Sequence, residues 1–189
     1  MINLESKRLW LRPLTPDDLD FLIELHADQE VSRYIWHGKP RTQEQTRIWL
    51  ERTFSLYQQE QIGHLGVVQK SDGQIIGRCG LNCFEIEIGV DKPQGFWGRG
   101  AAPKGVNVEP NFELGYTLDR KAWGYGYATE AAQTFLDYAF YERHLSKIIS
   151  LIHPENTRSI NVANRLGMQK QDSVLVFGVW VWRYALGPG

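Results

Sequence analysis

Cysteine is scarce: only Cys79 and Cys83 occur in 189 residues, so the disulfide framework that staples small secreted domains is excluded. The two stand four residues apart in a strand-like stretch. Five histidines (26, 37, 64, 144 and 153) are scattered without ligand spacing, so no metal site is expected. An excess of one charge is missing too, since 21 Lys and Arg face 22 Asp and Glu. A generic nucleic-acid binder needs a basic surplus to offset phosphates, and nucleic acid is therefore not an expected partner. No run approaches the roughly 20 apolar residues that span a bilayer. The opening Met1-Ile2-Asn3-Leu4-Glu5-Ser6-Lys7-Arg8 lacks the charged-then-apolar pattern of a signal peptide. Neither membrane contact nor export is expected, and the expected compartment is cytoplasmic. Internal repeats, charge runs and domain boundaries are lacking, so residues 1–189 are expected to form a single domain.

What is present is the composition of a folded protein, 42% apolar with 12% aromatic. Arg8 to Leu14 alternates well enough for a first strand. Thr15-Pro16-Asp17-Asp18 then reads as a helix start, and Thr42-Gln43-Glu44-Gln45 opens a second helix through about Gln59. Leu65–Val68 and Gln74–Leu81 read as strands joined by the turn signal Ser71-Asp72-Gly73. Residues 91–111 hold Pro93, Gly95, Gly98, Gly100, Pro103, Gly105 and Pro110, which predicts a long loop with no regular element. Strand Phe112–Leu118, helix Ala128–Arg143, strand Lys147–Ile152, a short helix near Arg158–Leu166 and strands within 168–186 follow. In those last strands Trp180, Trp182 and Tyr184 alternate, as either core or a dimer seam would require. The chain reads as a mixed α/β sheet domain.

Chemistry concentrates at residues 112–131. Phe112, Leu114, Tyr116 and Leu118 share one strand face, with Glu113, Gly115 and Thr117 on the other. After the turn, Ala128, Ala131, Ala132, Phe135, Leu136, Ala139 and Phe140 trace an amphipathic helix. A strand, a glycine turn and a helix N-terminus together make an anion cradle, because first-turn N–H groups and the helix dipole point at the ligand. Gly124 and Gly126 let the backbone approach, and Ala128 is small. A tight structural connection has the same pattern. The Walker pattern and the G-x-G-x-x-G fingerprint are both missing. Trp97-Gly98-Arg99-Gly100-Ala101-Ala102 imitates the turn, but it is expected to follow no strand, and Pro103 cuts off any helix after it. A second run, His153 to Met168, offers Asn156 or Thr157 as a helix cap and Gly167 as its stop.

Together these runs resemble the GNAT superfamily of acyl-CoA-dependent N-acyltransferases, in particular the RimJ/RimL-type ribosomal-protein N-terminal acetyltransferases. The resemblance rests on Glu113-Leu114-Gly115-Tyr116-Thr117-Leu118, on Trp123-Gly124-Tyr125-Gly126-Tyr127-Ala128-Thr129-Glu130-Ala131, and on Asn156-x-x-Ser159 through Leu166-Gly167-Met168. The opening Leu4-x-Ser6-x-Arg8-Leu9-x-Leu11-Arg12 and Thr15-x-x-Asp18 also look like that branch, so it spans nearly the whole chain. It implies an α/β (α+β) domain with a mixed central sheet flanked by helices, in the order β-α-α-β-β-β-α-β-α-β-β. This chain departs from the branch in its 91–111 insert, in Trp123 where Gln or Arg heads the loop, and in Tyr125 at a commonly basic position.

The resemblance further implies acetyl transfer from acetyl-CoA, as co-substrate and without metal, to an amine in a ternary complex. Gly124–Thr129 would hold the pyrophosphate through backbone N–H groups, headed by Trp123. Tyr116, Thr117 and Leu118 would pair with the pantetheine arm as an added strand, a backbone N–H near Tyr116 polarising the thioester carbonyl. Glu113 is the expected base, Asn156 a CoA contact, and Ser159 a proton donor to the leaving thiolate. Tyr34, Trp36 and His37 are expected near the acceptor, a protein N-terminus or a small-molecule amine, and the chain would act as a monomer or homodimer. Two other readings share these residues: a catalytically silent acyl-CoA-binding module, and a regulatory domain binding another nucleotide.

Overall fold

The computed structural model describes residues 2–35, 37–59 and 62–188. The chain forms two compact units, Met1–Gly80 with Gly115–Tyr138, and Leu81–Leu114 with Ala139–Gly189.

In the first unit, β1 (Leu4–Glu5) and β2 (Leu9–Pro13) pair antiparallel. So do β2 and β3 (His64–Gln69), and β3 and the start of β4 (Ile75–Glu87). The Ser71-Asp72-Gly73 turn lies between β3 and β4, as its residues predict. The two helix starts that the sequence announces carry hydrogen-bonded caps. Asp18 closes the turn before α1 (Leu19–Ala27), accepting the Thr15 N–H at 2.8 Å and Arg12 Nη2 and Nη1 at 2.7 and 2.8 Å. Burial pushes the Asp18 carboxyl up, but these hydrogen bonds and the Arg12 charge overcome it and leave it below its ordinary range. Asp28 caps the short α2 (Gln29–Ser32), while Thr42 and Gln45 cap α3 (Gln43–Gln59) reciprocally. Leu14, Leu22, Leu25, Val31, Trp49 and Leu50 form the core beneath these helices.

A polar cluster is buried beside that core. Arg78 Nε donates to His26 Nε2 at 3.0 Å, and its guanidinium lies 4.4 Å from the Trp49 ring centroid. Arginine cannot accept, so His26 keeps its lone pair on Nε2 and gives its Nδ1 proton to Thr46 Oγ1 at 3.2 Å. Burial first, then the charges of Arg78 and Arg41, hold His26 neutral far below its ordinary pKa.

In the second unit, β6 (Val108–Leu118) and β7 (Ile148–Ile152) are parallel, with Glu113 registered on Ile149. Antiparallel β9 (Val179–Leu186) and β8 (Gln169–Val176) complete the order β6-β7-β9-β8. Phe177 and Gly178, both at positive φ, form the two-residue β8–β9 turn. Phe84, Ile86, Ile149 and Val174 make this unit's core. Cys79 of the first unit and Cys83 of the second are buried thiols.

Three expectations need correction. Residues 91–111 are not devoid of regular structure: β5 (Gly95–Trp97) pairs with β4, and β6 already begins at Val108. Trp97-Gly98-Arg99-Gly100 therefore does follow a strand. What holds it is the buried Glu85 carboxylate, which accepts the N–H groups of Gly100, Ala101 and Ala102 at 2.6, 3.1 and 3.2 Å. Those donors are thus spent on an internal anion, and no helix follows them. The helix expected over 128–143 is α4 (Tyr127–Asp137), succeeded by a π-helical turn at Tyr138–Glu142 and by His144 at φ +53°. With β1, α2 and β5 added, the observed order is otherwise the expected one.

Candidate active site

The glycine turn is built between β6 and α4 within the first unit. Asp119 caps a 3-10 turn at Arg120–Ala122, accepting the Lys121 N–H at 2.9 Å. Trp123 then packs against the Leu14–Leu50 core while its Nε1 donates to the Leu118 carbonyl at 2.9 Å. Its side chain therefore anchors the turn. Gly124 and Gly126 follow at φ +85° and +81°, in the left-handed region that side chains disfavour. Gly126 is the N-cap of α4, and having no side chain it leaves the first-turn N–H groups of Tyr127, Ala128 and Thr129 without a cap. A β-carbon built on Gly124 would meet nothing within 4 Å, so the approach is open. Thr129 adds a buried Oγ1 with no hydrogen-bond partner. Orphaned buried hydroxyls are uncommon; a phosphate oxygen would satisfy this one along with the N–H groups beside it.

The surroundings favour an anion. Glu130, the acid of the first helical turn, is occupied: it accepts from Ser6 Oγ at 2.7 Å, Arg8 N at 2.8 Å and Arg8 Nε at 2.6 Å. Burial raises its pKa, but these hydrogen bonds and the Arg8 charge outweigh that and hold it low. Tyr127 accepts from Gln69 Nε2 at 2.8 Å and stacks on the exposed Tyr125 with centroids 5.9 Å apart. Both tyrosines thus pack together at the turn. Tyr116, Thr117 and Leu118 form the end of β6, with Thr117 and Leu118 buried.

The second unit holds Glu113, Asn156 and Ser159. Glu113, three residues before Tyr116 on β6, is only 8% exposed. Asn82 Nδ2, from β4, donates to Glu113 Oε2 at 2.8 Å. Sequence reasoning missed Asn82. Its signal was a polar amide inside the apolar stretch Cys79–Phe84, which demands a buried partner. Asn156 caps α5 (Thr157–Arg165), accepting the Ser159 N–H at 3.2 Å, so its Oδ1 has a structural task. Ser159 is half-buried on the first turn of α5. Of the residues expected near the acceptor, Tyr34 lies under the Arg33 guanidinium, His37 is exposed, and Trp36 lies outside the described residues.

Residues 8–169 match the family described as Acetyltransferase (GNAT) domain. The uncharacterized N-acetyltransferase p20 of Bacillus licheniformis is 30% identical over 171 residues, covering 90% of this chain and 84% of that protein. The fold is that of a GNAT-family acetyltransferase from Bacillus anthracis (TM-score 0.72, 23% identity, 98% of both chains). It is also that of RimL, a ribosomal L7/L12 α-N-protein acetyltransferase solved with coenzyme A (TM-score 0.73, 16% identity, 98% of both chains). The chain therefore belongs to the GNAT acetyltransferases and is an acyltransferase that draws on acetyl-CoA.

Proposed function

We propose that the chain, acting as one catalytic domain, moves an acetyl group from acetyl-CoA to a primary amine by direct attack in a ternary complex. The observation that carries the reading is the uncapped start of α4: three N–H groups behind two left-handed glycines, joined by the orphaned Thr129 hydroxyl. Gly124 to Thr129 hold the pyrophosphate, and Tyr116–Leu118 line the pantetheine arm. The thioester supplies the activated acetyl group. Glu113, held by Asn82 and shielded from bulk water, takes the proton that an ammonium must lose before it attacks. As the C–S bond breaks, Ser159 passes a proton to the departing thiolate and takes one in its place from the nitrogen that has attacked, while Asn156 contacts the CoA moiety beside its capping role. The acceptor class is a protein or peptide N-terminus, the kind of amine that the name of the RimL relative specifies; small-molecule amines are the alternative.

A thermal melt with acetyl-CoA, with NAD and ATP as controls, tests the donor. Ligand at about 100 times its dissociation constant adds roughly 2.7 kcal/mol, or several degrees at this size. Release of free CoA thiol with peptides and small amines then identifies the acceptor. A shift with NAD or ATP and none with acetyl-CoA defeats the reading. Binding without thiol release across both amine classes leaves a silent module.

A further inference from the structure

The turn that starts α4 carries no cation of its own. Residues 123–129 are Trp, Gly, Tyr, Gly, Tyr, Ala and Thr. Of the basic residues just before it, Arg120 lies 3.7 Å from Asp28 in an ion pair, and Lys121 is exposed. A pyrophosphate met by backbone N–H groups alone would keep most of its charge. The guanidinium closest in this geometry comes from a distant part of the sequence. Arg8 follows the turn between β1 and β2, and its Nη2 lies 3.6 Å from where a β-carbon on Gly126 would stand. Three contacts fix the side chain there. Its backbone N–H and Nε both bind Glu130, and its Cζ sits 4.5 Å from the Tyr127 ring centroid. One edge of the guanidinium fork is thereby committed. The two Nη groups donate to no acceptor among the described residues, and the side chain is 43% exposed. A planar donor with one edge pinned and the other facing an uncapped helix start is preorganised for a phosphate oxygen.

We propose that Arg8 is the cation of this phosphate site, donating through Nη to the pyrophosphate held at the start of α4. Glu130 and Tyr127 act as positioning residues for it. The inference rests on the acetyl-CoA reading above and adds the residue that supplies its charge complementarity. It also gives the first-turn acid a purpose: Glu130 stands where an acid would repel the ligand, yet it brings in a cation whose other edge faces the site.

Calorimetric titration of acetyl-CoA and 3′-dephospho-acetyl-CoA against the wild type, Arg8→Gln, Arg8→Lys and Glu130→Gln tests this. A charge-assisted hydrogen bond corresponds to a loss of about ten- to hundredfold in affinity. Arg8→Gln is expected to lose that much for both ligands and to flatten the salt dependence of binding. Arg8→Lys keeps part of the affinity, and Glu130→Gln, which loosens Arg8 without removing it, loses less than Arg8→Gln. Wild-type affinity in Arg8→Gln overturns the proposal. So does an equal loss in Glu130→Gln, which would reduce Arg8 to a brace for Glu130. A loss seen with acetyl-CoA but not with the 3′-dephospho ligand moves the contact to the 3′-phosphate and refutes the pyrophosphate assignment. If the wild type binds neither ligand, the acetyl-CoA reading itself falls; if it binds both and Arg8→Gln matches it, only Arg8 is misassigned.

Discussion

Replacing Gly126 by alanine separates backbone strain from ligand contact. The residue sits at φ +81° and ψ +4°, where an L side chain costs about 1–2 kcal/mol. The new methyl has room, since its nearest neighbour is Arg8 Nη2 at 3.6 Å, an ordinary contact with the end of a flexible side chain. Folding should therefore lose only the strain, roughly 2–8 °C in melting temperature for a chain of this size. Binding should lose more. The methyl stands at the N-cap, in the path of an anion approaching the N–H groups of Tyr127, Ala128 and Thr129. Displacing a phosphate from one charge-assisted hydrogen bond removes about 1.5–3 kcal/mol, or ten- to hundredfold in Kd for acetyl-CoA. Gly73→Ala is the matched control: φ is +71°, no atom lies within 4 Å, and the site is the β3–β4 turn of the same unit. Calorimetric denaturation should place both variants near the same stability, while titration with acetyl-CoA should weaken only Gly126→Ala. Equal affinity in the two variants would refute the cradle.

Glu113→Gln retains the size of the side chain and an oxygen for the Asn82 amide, so melting temperature and acetyl-CoA affinity should hold. The rate of CoA thiol release with an accepted amine should fall roughly 10²- to 10⁴-fold, as loss of a general base implies. Asn156→Ala removes the α5 cap and should destabilise by about 1 kcal/mol. Asn156→Asp keeps the cap, so a loss of acetyl-CoA affinity in that variant reports the side-chain amide acting on the ligand. His26 links stability to mild acid. The unfolded histidine takes up a proton near pH 6.5 and the buried one does not, so the unfolded state binds more protons and acid favours it. Between pH 7.5 and 5.5 this removes about 1.4 kcal/mol, measured as denaturation midpoints against a His26→Asn variant that lacks the slope.

The parts legible in the sequence are those whose cause is local. Thr42 and Gln45 cap α3 across three residues, and Ser71-Asp72-Gly73 turns the chain within itself. The two glycines before α4 announce a left-handed turn because no other residue enters that region as freely. β5 could not be read this way. It has three residues, and the turn after it closes on Glu85, fifteen positions from Gly100. The glycines and prolines of 91–111 keep that segment from forming regular structure alone, and the buried Glu85 carboxylate supplies what it lacks. Strand alternation likewise sets Glu113 on the face opposite Leu114 but does not name its partner, which is Asn82, 31 positions away.

The same division runs through the candidate site. A phosphate cradle made of backbone N–H groups needs particular φ values over a few consecutive residues, so it leaves a motif. The side chains that charge it or orient it need only to arrive at the right place, and Arg8 reaches Glu130 across 122 positions. Such residues can stand in a recognisable pattern, as Arg8 does, but its spacing does not announce their partner. They are found instead by asking which buried polar groups and which half-committed donors the fold has brought together. Asn82 and Arg8 are the two answers this chain gives.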